Sequence, residues 1–358
     1  MTDIIVIGGG VAGLSAAARL STDAKVSVLE AESAIGYHAS GRSAAVYEAN
    51  YGNASTVALN KASAAYHFEA NGGYLTPRGL LIVAEEHDAA VFDADVQALG
   101  VDPISPADAV AMVPILDPVK IAFAGYHAGA QDIDTDRLMQ DFARATRTSG
   151  GEIRVGEPVI QISRTKAGWQ VTTPVGTYTA AILVNAAGAW ADGIAEMAGL
   201  GPLGIQPHRR SMARIAAPDG YDVRKWPLFF GVAESWYAKP DAGALLVSPA
   251  DEEPTVAQDA WADDMVLAEG LALYENMVTI PVTRPIATWA GLRSFAPDRT
   301  LVLGPDPTDP TFVWSAGQGG YGFQTAPAAS QLVADLVNSR TPELSPDVVD
   351  QLKPDRLR

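Results

Sequence analysis

Asp3-Ile4-Ile5-Val6-Ile7-Gly8-Gly9-Gly10-Val11-Ala12-Gly13 is the stretch that decides the fold. Residues 4–7 are apolar and β-branched, as in a short strand buried on both faces. A G-x-G-x-x-G pattern follows at once and opens an Ala-rich helical stretch reaching Leu20. Residues 25–30, Lys-Val-Ser-Val-Leu-Glu, make a second strand that ends in an acid. In this setting Gly8 permits a tight turn, Gly10 lets a pyrophosphate approach the backbone, and Gly13 lets helix and strand pack closely. The helix N-terminus turns its unpaired N–H groups towards the phosphates. Glu30 lies 22 positions after Gly8, where a carboxylate accepts both ribose hydroxyls and repels a 2′-phosphate. A glycine triplet alone is a turn; strand, helix, second strand and terminal acid together predict an adenine dinucleotide.

The rest of the chain narrows the class. Its 358 residues correspond to two folded units. With 48% hydrophobic and 19% charged residues there is material for a large core, and disorder is excluded. Lys and Arg number 25 against 42 Asp and Glu, a net charge of −17 with no basic patch, so nucleic acid is not expected as a partner. The absence of cysteine removes disulfides, iron–sulfur clusters, thiolate zinc, a cysteine nucleophile and any cysteinyl-linked cofactor. His38, His67, His87, His127 and His208 fall at no metal-ligand spacing, so no metal is expected and each reads as a surface or core histidine. The uncharged stretch 173–191 is broken by Pro174, Gly176 and Gly188, so no transmembrane segment is expected. Met1-Thr2-Asp3 lacks the positive region of an export signal, and a soluble, cytoplasmic enzyme is the expectation.

Three further stretches favour FAD over NAD. Residues 36–45, Gly-Tyr-His-Ala-Ser-Gly-Arg-Ser-Ala-Ala, offer a small-residue helix start with one guanidinium, suited to the far side of a pyrophosphate. Residues 181–190 read as a buried strand running into a tight turn at Ala187-Gly188-Ala189-Trp190. Phe312-Val313-Trp314-Ser315-Ala316 leads into Gly317-Gln318-Gly319-Gly320-Tyr321-Gly322, then a helix to about Val337. The positive end of such a helix can face the pyrimidine side of an isoalloxazine. Taken singly, each is as readily a close-packed turn. Elsewhere, Asp136 reads as the cap of a helix presenting Leu138, Phe142 and Ala145 on one face, closed by Gly150-Gly151, with a strand at 152–155. Residues 169–173 and 177–182 flank Pro174-Val175-Gly176 as a hairpin.

On these segments, with Ile133-Asp134-Thr135-Asp136, 183–190, 206–211, 289–295 and 318–325, the chain resembles the D-amino acid oxidase-like superfamily of FAD-dependent oxidoreductases (glutathione reductase 2-type). Within it the likeness is to bacterial D-amino acid dehydrogenases of the D-arginine dehydrogenase type. The resemblance implies an α/β fold: a Rossmann-like FAD-binding domain at 1–75, 130–203 and 285–358, interrupted by an α+β substrate-binding domain with a mixed or antiparallel sheet at 76–129 and 204–284. It implies non-covalent FAD held by Gly8, Gly10, Val11, Ala12, Gly13, Glu30 and Ala31, and by His38, Ser40, Gly41, Arg42, Ser43, Ala44 and Ala45. Val159, Ala187, Gly188, Trp190, Gly291, Arg293, Gly319, Gly320, Tyr321, Gly322, Gln324 and Thr325 complete the implied cofactor set.

A flavin performs the redox step itself, so the protein's task is to orient the substrate. By resemblance Arg210 and Arg293 bind the substrate carboxylate, Tyr51 and Tyr237 complete the clamp, and the Gly320 carbonyl meets the amine. From the residues alone, Arg209-Arg210 reads as a solvated surface pair, and the tyrosines are as readily core. Arg293 sits among Trp289, Leu292 and Phe295 and needs a partner, either a ligand or Asp298. The side-chain pocket departs from the D-arginine pattern: Leu80 stands where an acid is expected, Val46 replaces a histidine, and Leu228 and Phe230 are apolar. Glu48 at a neighbouring position leaves a cationic side chain open.

The reading is oxidative deamination of D-amino acids with apolar or neutral side chains, giving an imino acid that hydrolyses to a 2-oxo acid and ammonia. The electrons would pass to a quinone, a similar acceptor or O2. Sarcosine- or glycine-oxidase-like amine oxidation, 2-hydroxy acid oxidation and a non-catalytic flavin subunit are the alternatives. Oxidase and dehydrogenase are not distinguished by sequence.

Overall fold

The computed structural model describes residues 2–358. Two large sheets organise the chain. The first has six strands in the order Val302–Pro305, Phe312–Ala316, Ile182–Asn185, Ile4–Ile7, Val26–Leu29, Glu152–Arg154. Its pairings are parallel except the one between Val302–Pro305 and Phe312–Ala316. Every residue of Ile4–Ile7 and Val26–Leu29 is buried, because helices cover one face of this sheet and a three-stranded sheet with helix Ala191–Met197 covers the other. Helix Val11–Leu20 packs against Thr135–Thr148 and Gly322–Val337. The hairpin forms as read: Gly168–Thr172 pairs with Thr177–Ala180, and Gln161–Thr165 adds a third strand.

The second sheet has eight strands: Pro285–Phe295, Gln206–Ala216, Ala244–Ser248, Tyr237–Asp241, Leu228–Gly231, Leu80–Ala84, Phe123–His127, Asp102–Ile104. It is mixed, with Leu228–Gly231 parallel to Leu80–Ala84 and the other neighbours antiparallel. Residues 285–295, expected with the nucleotide domain, form an edge strand of this second sheet. One face, with Leu81, Val83, Phe229, Leu245 and Val247, packs under helix Asp264–Asn276 through Tyr274.

Two local readings are corrected. Helix Thr135–Thr148 is capped by Asp134, whose carboxylate accepts from Arg137 N at 3.1 Å, and Asp136 lies in its first turn. Ala145 is exposed; Leu138, Met139, Asp141, Phe142, Ala143 and Thr146 are the buried residues, since the buried stripe is set by the neighbouring elements. The region 36–45 contains only a 3-10 turn at Ala39–Arg42. Gly41 N donates to Gly36 O at 2.6 Å, which closes a loop where a helix was expected.

Helix Ala54–Glu69 carries a buried polar seam, Thr56, Asn60, Ser63 and His67, and packs against Gly322–Val337. The reason is Pro327, which sits inside the second helix and opens its hydrogen-bond ladder. His67 Nε2 donates to Gln324 O at 3.0 Å, and Ala328 N donates to Ser63 Oγ at 3.1 Å. These side chains take up the backbone groups left free around the proline. Burial holds the His67 imidazole neutral, below its ordinary 6.5. The unfolded chain therefore binds a proton below pH 6.5 that the folded chain does not, and stability falls as the pH drops through that value. His67→Gln should cost about 1 kcal/mol at pH 7.5. It should also lose less stability than the wild type between pH 7.5 and 5.5, as read by urea midpoints.

Candidate active site

Phe312–Ala316, Ile182–Asn185, Ile4–Ile7 and Val26–Leu29 lie side by side and parallel, so their carboxyl ends share one edge of the sheet. Residues 317–322, 186–190 and 8–13 and Glu30 all leave from that edge. The chain order reverses beside Ile4–Ile7, and such a switch point is where open α/β sheets bind ligands. A cavity of about 590 Å³ opens there.

The nucleotide end is built from close backbone approaches. Gly8 has φ +109°, and a Cβ added to it would lie 2.4 Å from Ala186 O. A Cβ on Gly13 would fall 1.9 Å from Gly8 O, so helix and strand touch there with no room for a side chain. Gly13 therefore shapes the loop from behind and is not on the cavity lining, whereas Gly8, Gly10, Val11 and Ala12 are. Glu30 reaches the lining with Ala31; its Oε2 accepts from Gly9 N at 2.6 Å and its Oε1 from Glu32 N at 2.8 Å. Ser40 Oγ accepts from Val11 N at 3.0 Å, which folds the second loop onto the helix start.

That loop contributes His38, Ser40, Arg42, Ser43, Ala44 and Ala45 to the lining, while Gly41 serves only the turn. Arg42 is not a free guanidinium. Its Nη1 donates to Ala260 O and Ala290 O, each at 3.0 Å, and its Nη2 meets Asp259 at 2.5 Å. It thereby ties the loop around residue 260 across the cavity; no motif signalled that loop. His38 Nε2 donates to Glu32 at 2.9 Å, and its ring lies 4.7 Å from that of Trp190. Val159, Ala187, Gly188 and Trp190 line the wall beside it.

The substrate-facing wall is one face of the eight-stranded sheet. Neighbouring residues on a strand point to opposite faces, and this separates the two adjacent arginines. Arg209 turns outward to Glu253 at 2.9 Å, while Arg210 turns inward and is 7% exposed. Arg210 pairs with Gly291 across the ladder, and Arg293 is two residues further on the same face. Met212 and Tyr237 both register with the neighbouring strand so as to share that face, and Tyr237 Oη donates to Met212 Sδ at 3.2 Å. Arg210, Met212, Tyr237, Gly291 and Arg293 all line the cavity.

Gly319, Gly320, Gly322 and Gln324 close the opposite side. A Cβ on Gly320 would sit 2.9 Å from Arg293 Cζ, so the glycine lets the guanidinium lie against backbone. Tyr321 lies behind, its ring 5.3 Å from that of Tyr51, and Thr325 Oγ1 donates to Tyr321 O; neither lines the cavity.

Tyr51 stands next to Arg293 without reaching the lining. Burial pushes its hydroxyl above the ordinary 10.0, with Glu234 adding to that and Arg293 opposing it, so it stays a neutral phenol. Burial works against the charge on Arg293, while the hydroxyl oxygens of Tyr51 and Tyr237 and the Glu234 carboxylate favour it, and the guanidinium stays cationic. Asp298 is not its partner: Arg356 binds that carboxylate at 2.6 Å.

The pocket positions divide. Leu80, Leu228 and Phe230 form an apolar cluster on the same sheet face, which meets the cavity at Val46 and Tyr237. Glu48 is buried off the lining, with Oε2 accepting from His127 Nδ1 at 2.7 Å and Oε1 from Asn50 N at 3.1 Å. Two carboxylates that no motif marked, Glu234 and Glu252, flank Arg210 at 3.9 and 3.7 Å. Among the described residues, the one cluster of metal-ligand type is Glu85, His87 and Asp88, outside the cavity lining.

The residues fit FAD. The glycine approaches leave backbone open to a pyrophosphate, and Gln324 Nε2 is a buried donor on the lining with no partner of its own.

Comparison with known proteins agrees. Residues 3–336 match the family model described as DAO, FAD dependent oxidoreductase. Human mitochondrial dimethylglycine dehydrogenase is 26% identical over 253 residues, covering 65% of this chain and 29% of that protein. The match thus spans under a third of that relative. The crystal structure of L-proline dehydrogenase from P. horikoshii superposes with a TM-score of 0.83 at 22% identity, covering 99% of this chain and 97% of that one. That of glycine oxidase from Geobacillus kaustophilus gives 0.82 at 23% identity, covering 96% of each. Among the described residues no helix is long and apolar enough to cross a membrane.

Gly13→Ala should displace the first turn at a cost of about 3 kcal/mol. The purified variant should lose bound flavin, seen as a drop in the ratio of visible to ultraviolet absorbance.

Proposed function

We propose, from the premise that this chain belongs to the DAO family of FAD-dependent oxidoreductases, that it oxidises the carbon–nitrogen bond beside the carboxylate of a small amino acid or N-methylated glycine. The observation that carries this is the pair of inward guanidiniums, Arg210 and Arg293, on one sheet face against the cofactor cavity. Arginine forks are matched to carboxylates. The compounds in the names of the similar proteins, dimethylglycine, proline and glycine, all carry an amine one carbon from a carboxylate.

FAD, when bound, supplies the acceptor for the two electrons. Arg293, backed by Gly320 and held cationic, grips the substrate carboxylate, and Arg210 offers a second fork. Tyr51, which burial keeps neutral, and Tyr237 add hydroxyls beside Arg293 that position the carboxylate. Departure of a hydride from a carbon bonded to the free-base nitrogen leaves an iminium, and a primary or secondary amine then gives up its N–H proton to become an imine. Water hydrolyses the imine to an oxo acid or aldehyde and the freed amine. A quinone, a similar acceptor or dioxygen removes the electrons afterwards.

Side-chain preference follows the wall at Val46, behind which Leu80, Leu228 and Phe230 present no charge. Small apolar or neutral side chains, D-amino acids of that kind among them, suit it better than guanidinium, since Glu48 is already engaged by His127.

The test is anaerobic reduction of the holoenzyme, followed by loss of flavin absorbance. The panel is glycine, sarcosine, dimethylglycine, proline and matched D- and L-amino acids. Bleaching by small amino carboxylates is expected, and bleaching by D-Arg and D-Lys alone would overturn the preference. Arg293→Lys should weaken substrate binding by about 2 kcal/mol, roughly thirtyfold. Because Tyr51 stays protonated through pH 10, the reduction rate should rise between pH 7 and 9 as the substrate ammonium loses its proton. A flat profile over that range would argue against that step.

A further inference from the structure

Glu234 stands 3.9 Å from Arg210 Nη1, and Glu252 stands 3.7 Å from its Nη2. Both separations are ion-pair distances but too long for hydrogen bonds. Nη1 of this buried side chain has no hydrogen-bond partner at all. The charge of Arg210 is thus compensated while one of its donors stays open to a ligand.

The two acids are not equivalent. Glu252 is committed to Arg299, whose Nη2 reaches both its oxygens at 2.8 Å, so that pair is neutral by itself. Asp251 turns its carboxylate to Ser211 N and Oγ, on the strand position after Arg210 and so on the opposite face. Glu234 has no other ion pair among the described residues, and its charge is felt at Arg293 and Tyr51 as well.

Its placement is enforced. Ala233 and Glu234 have φ of 53° and 51°, two consecutive left-handed residues without glycine. Such positions cost about 1 kcal/mol each and persist where the surroundings over-determine them. Here Asp95 accepts from Ala233 N at 2.7 Å, Val232 is buried in the apolar cluster, and Gly231 N donates to Trp236 O at 3.1 Å.

We propose that Glu234 is a positioning residue that sets the ligand charge the site accepts. It is the counter-charge to one of the two guanidiniums, Arg210 and Arg293, at the substrate end of the cavity. The single charge that remains matches an amino acid with one carboxylate and disfavours an amine that bears two. Glu234 lies off the cavity lining and acts through Arg210, Arg293 and Tyr51. The proposal rests on the reading of this cavity as an amino-carboxylate site.

Methoxyacetate and diglycolate test it. They are the ether counterparts of sarcosine and of its N-carboxymethyl analogue iminodiacetate, and have no amine to oxidise. Their binding to the holoenzyme is measured by calorimetry, with the monomethyl ester of diglycolate as a control for size. The wild type should bind methoxyacetate and the monoester about tenfold or more tighter than diglycolate, as one unit charge at this range predicts. E234Q should tighten both anions, diglycolate more than methoxyacetate because it carries twice the charge, and so narrow that ratio by about tenfold, and E234D should keep most of the wild-type ratio. Equal binding of methoxyacetate and diglycolate by the wild type, rejection of the monoester along with diglycolate, or an unchanged ratio in E234Q would each overturn the proposal. The first two need no variant to fold. If the wild type binds none of the three, the amino-carboxylate reading fails, and this proposal with it.

Discussion

The ladder between Gln206–Ala216 and Pro285–Phe295 is the constraint on which the site depends. These strands set Arg210 against Gly291 and Arg293 against His208. A slip of one residue would turn Arg210 out and Arg209 in, and the cavity would lose its first fork. The same ladder returns the chain to the nucleotide sheet, because Pro285–Phe295 is followed directly by Val302–Pro305. Cofactor edge and substrate face are therefore fixed relative to one another by backbone pairing. Gly320 beside Arg293 is the point where the two meet.

A second constraint runs through the helix that opens on the glycine turn. Gly322–Val337 carries a proline in its interior, and a helix so interrupted would fray or bend near its start. The buried seam on Ala54–Glu69 prevents this by supplying Ser63 and His67 to the open backbone groups. Asn60 of the same seam donates to Tyr51 O at 2.9 Å, so one helix steadies both the cofactor-facing turn and the loop that carries Tyr51. Asn60, Ser63 and His67, which would be costly in a core, are tolerated because each completes a backbone bond.

The substrate end of the cavity presents two guanidiniums, Arg210 and Arg293, in an acidic protein of net charge −17. Near the guanidiniums the local charge is trimmed by Glu234, Glu252 being already paired with Arg299, and Tyr51 contributes a donor without charge. Arg42 and Asp259 form a separate pair that ties the loop around residue 260 over the cavity.

Sequence alone determined the nucleotide end. Its chemistry is local: Gly8, Gly10 and Gly13 are needed within one turn, and Glu30 follows at the end of the next strand, so spacing carries the geometry. The arginines were legible only through family likeness, since nothing in a bare Arg209-Arg210 says which one points inward. Tertiary structure decided that, through strand alternation and register. It also decided that Arg42 closes a loop, that Asp134 caps a helix credited to Asp136, and that Glu48 is held by His127. Glu234 was beyond reach for the same reason. Its effect comes from proximity to residues 24 and 59 positions away in the chain, and proximity of that kind is made by packing, which no local pattern records.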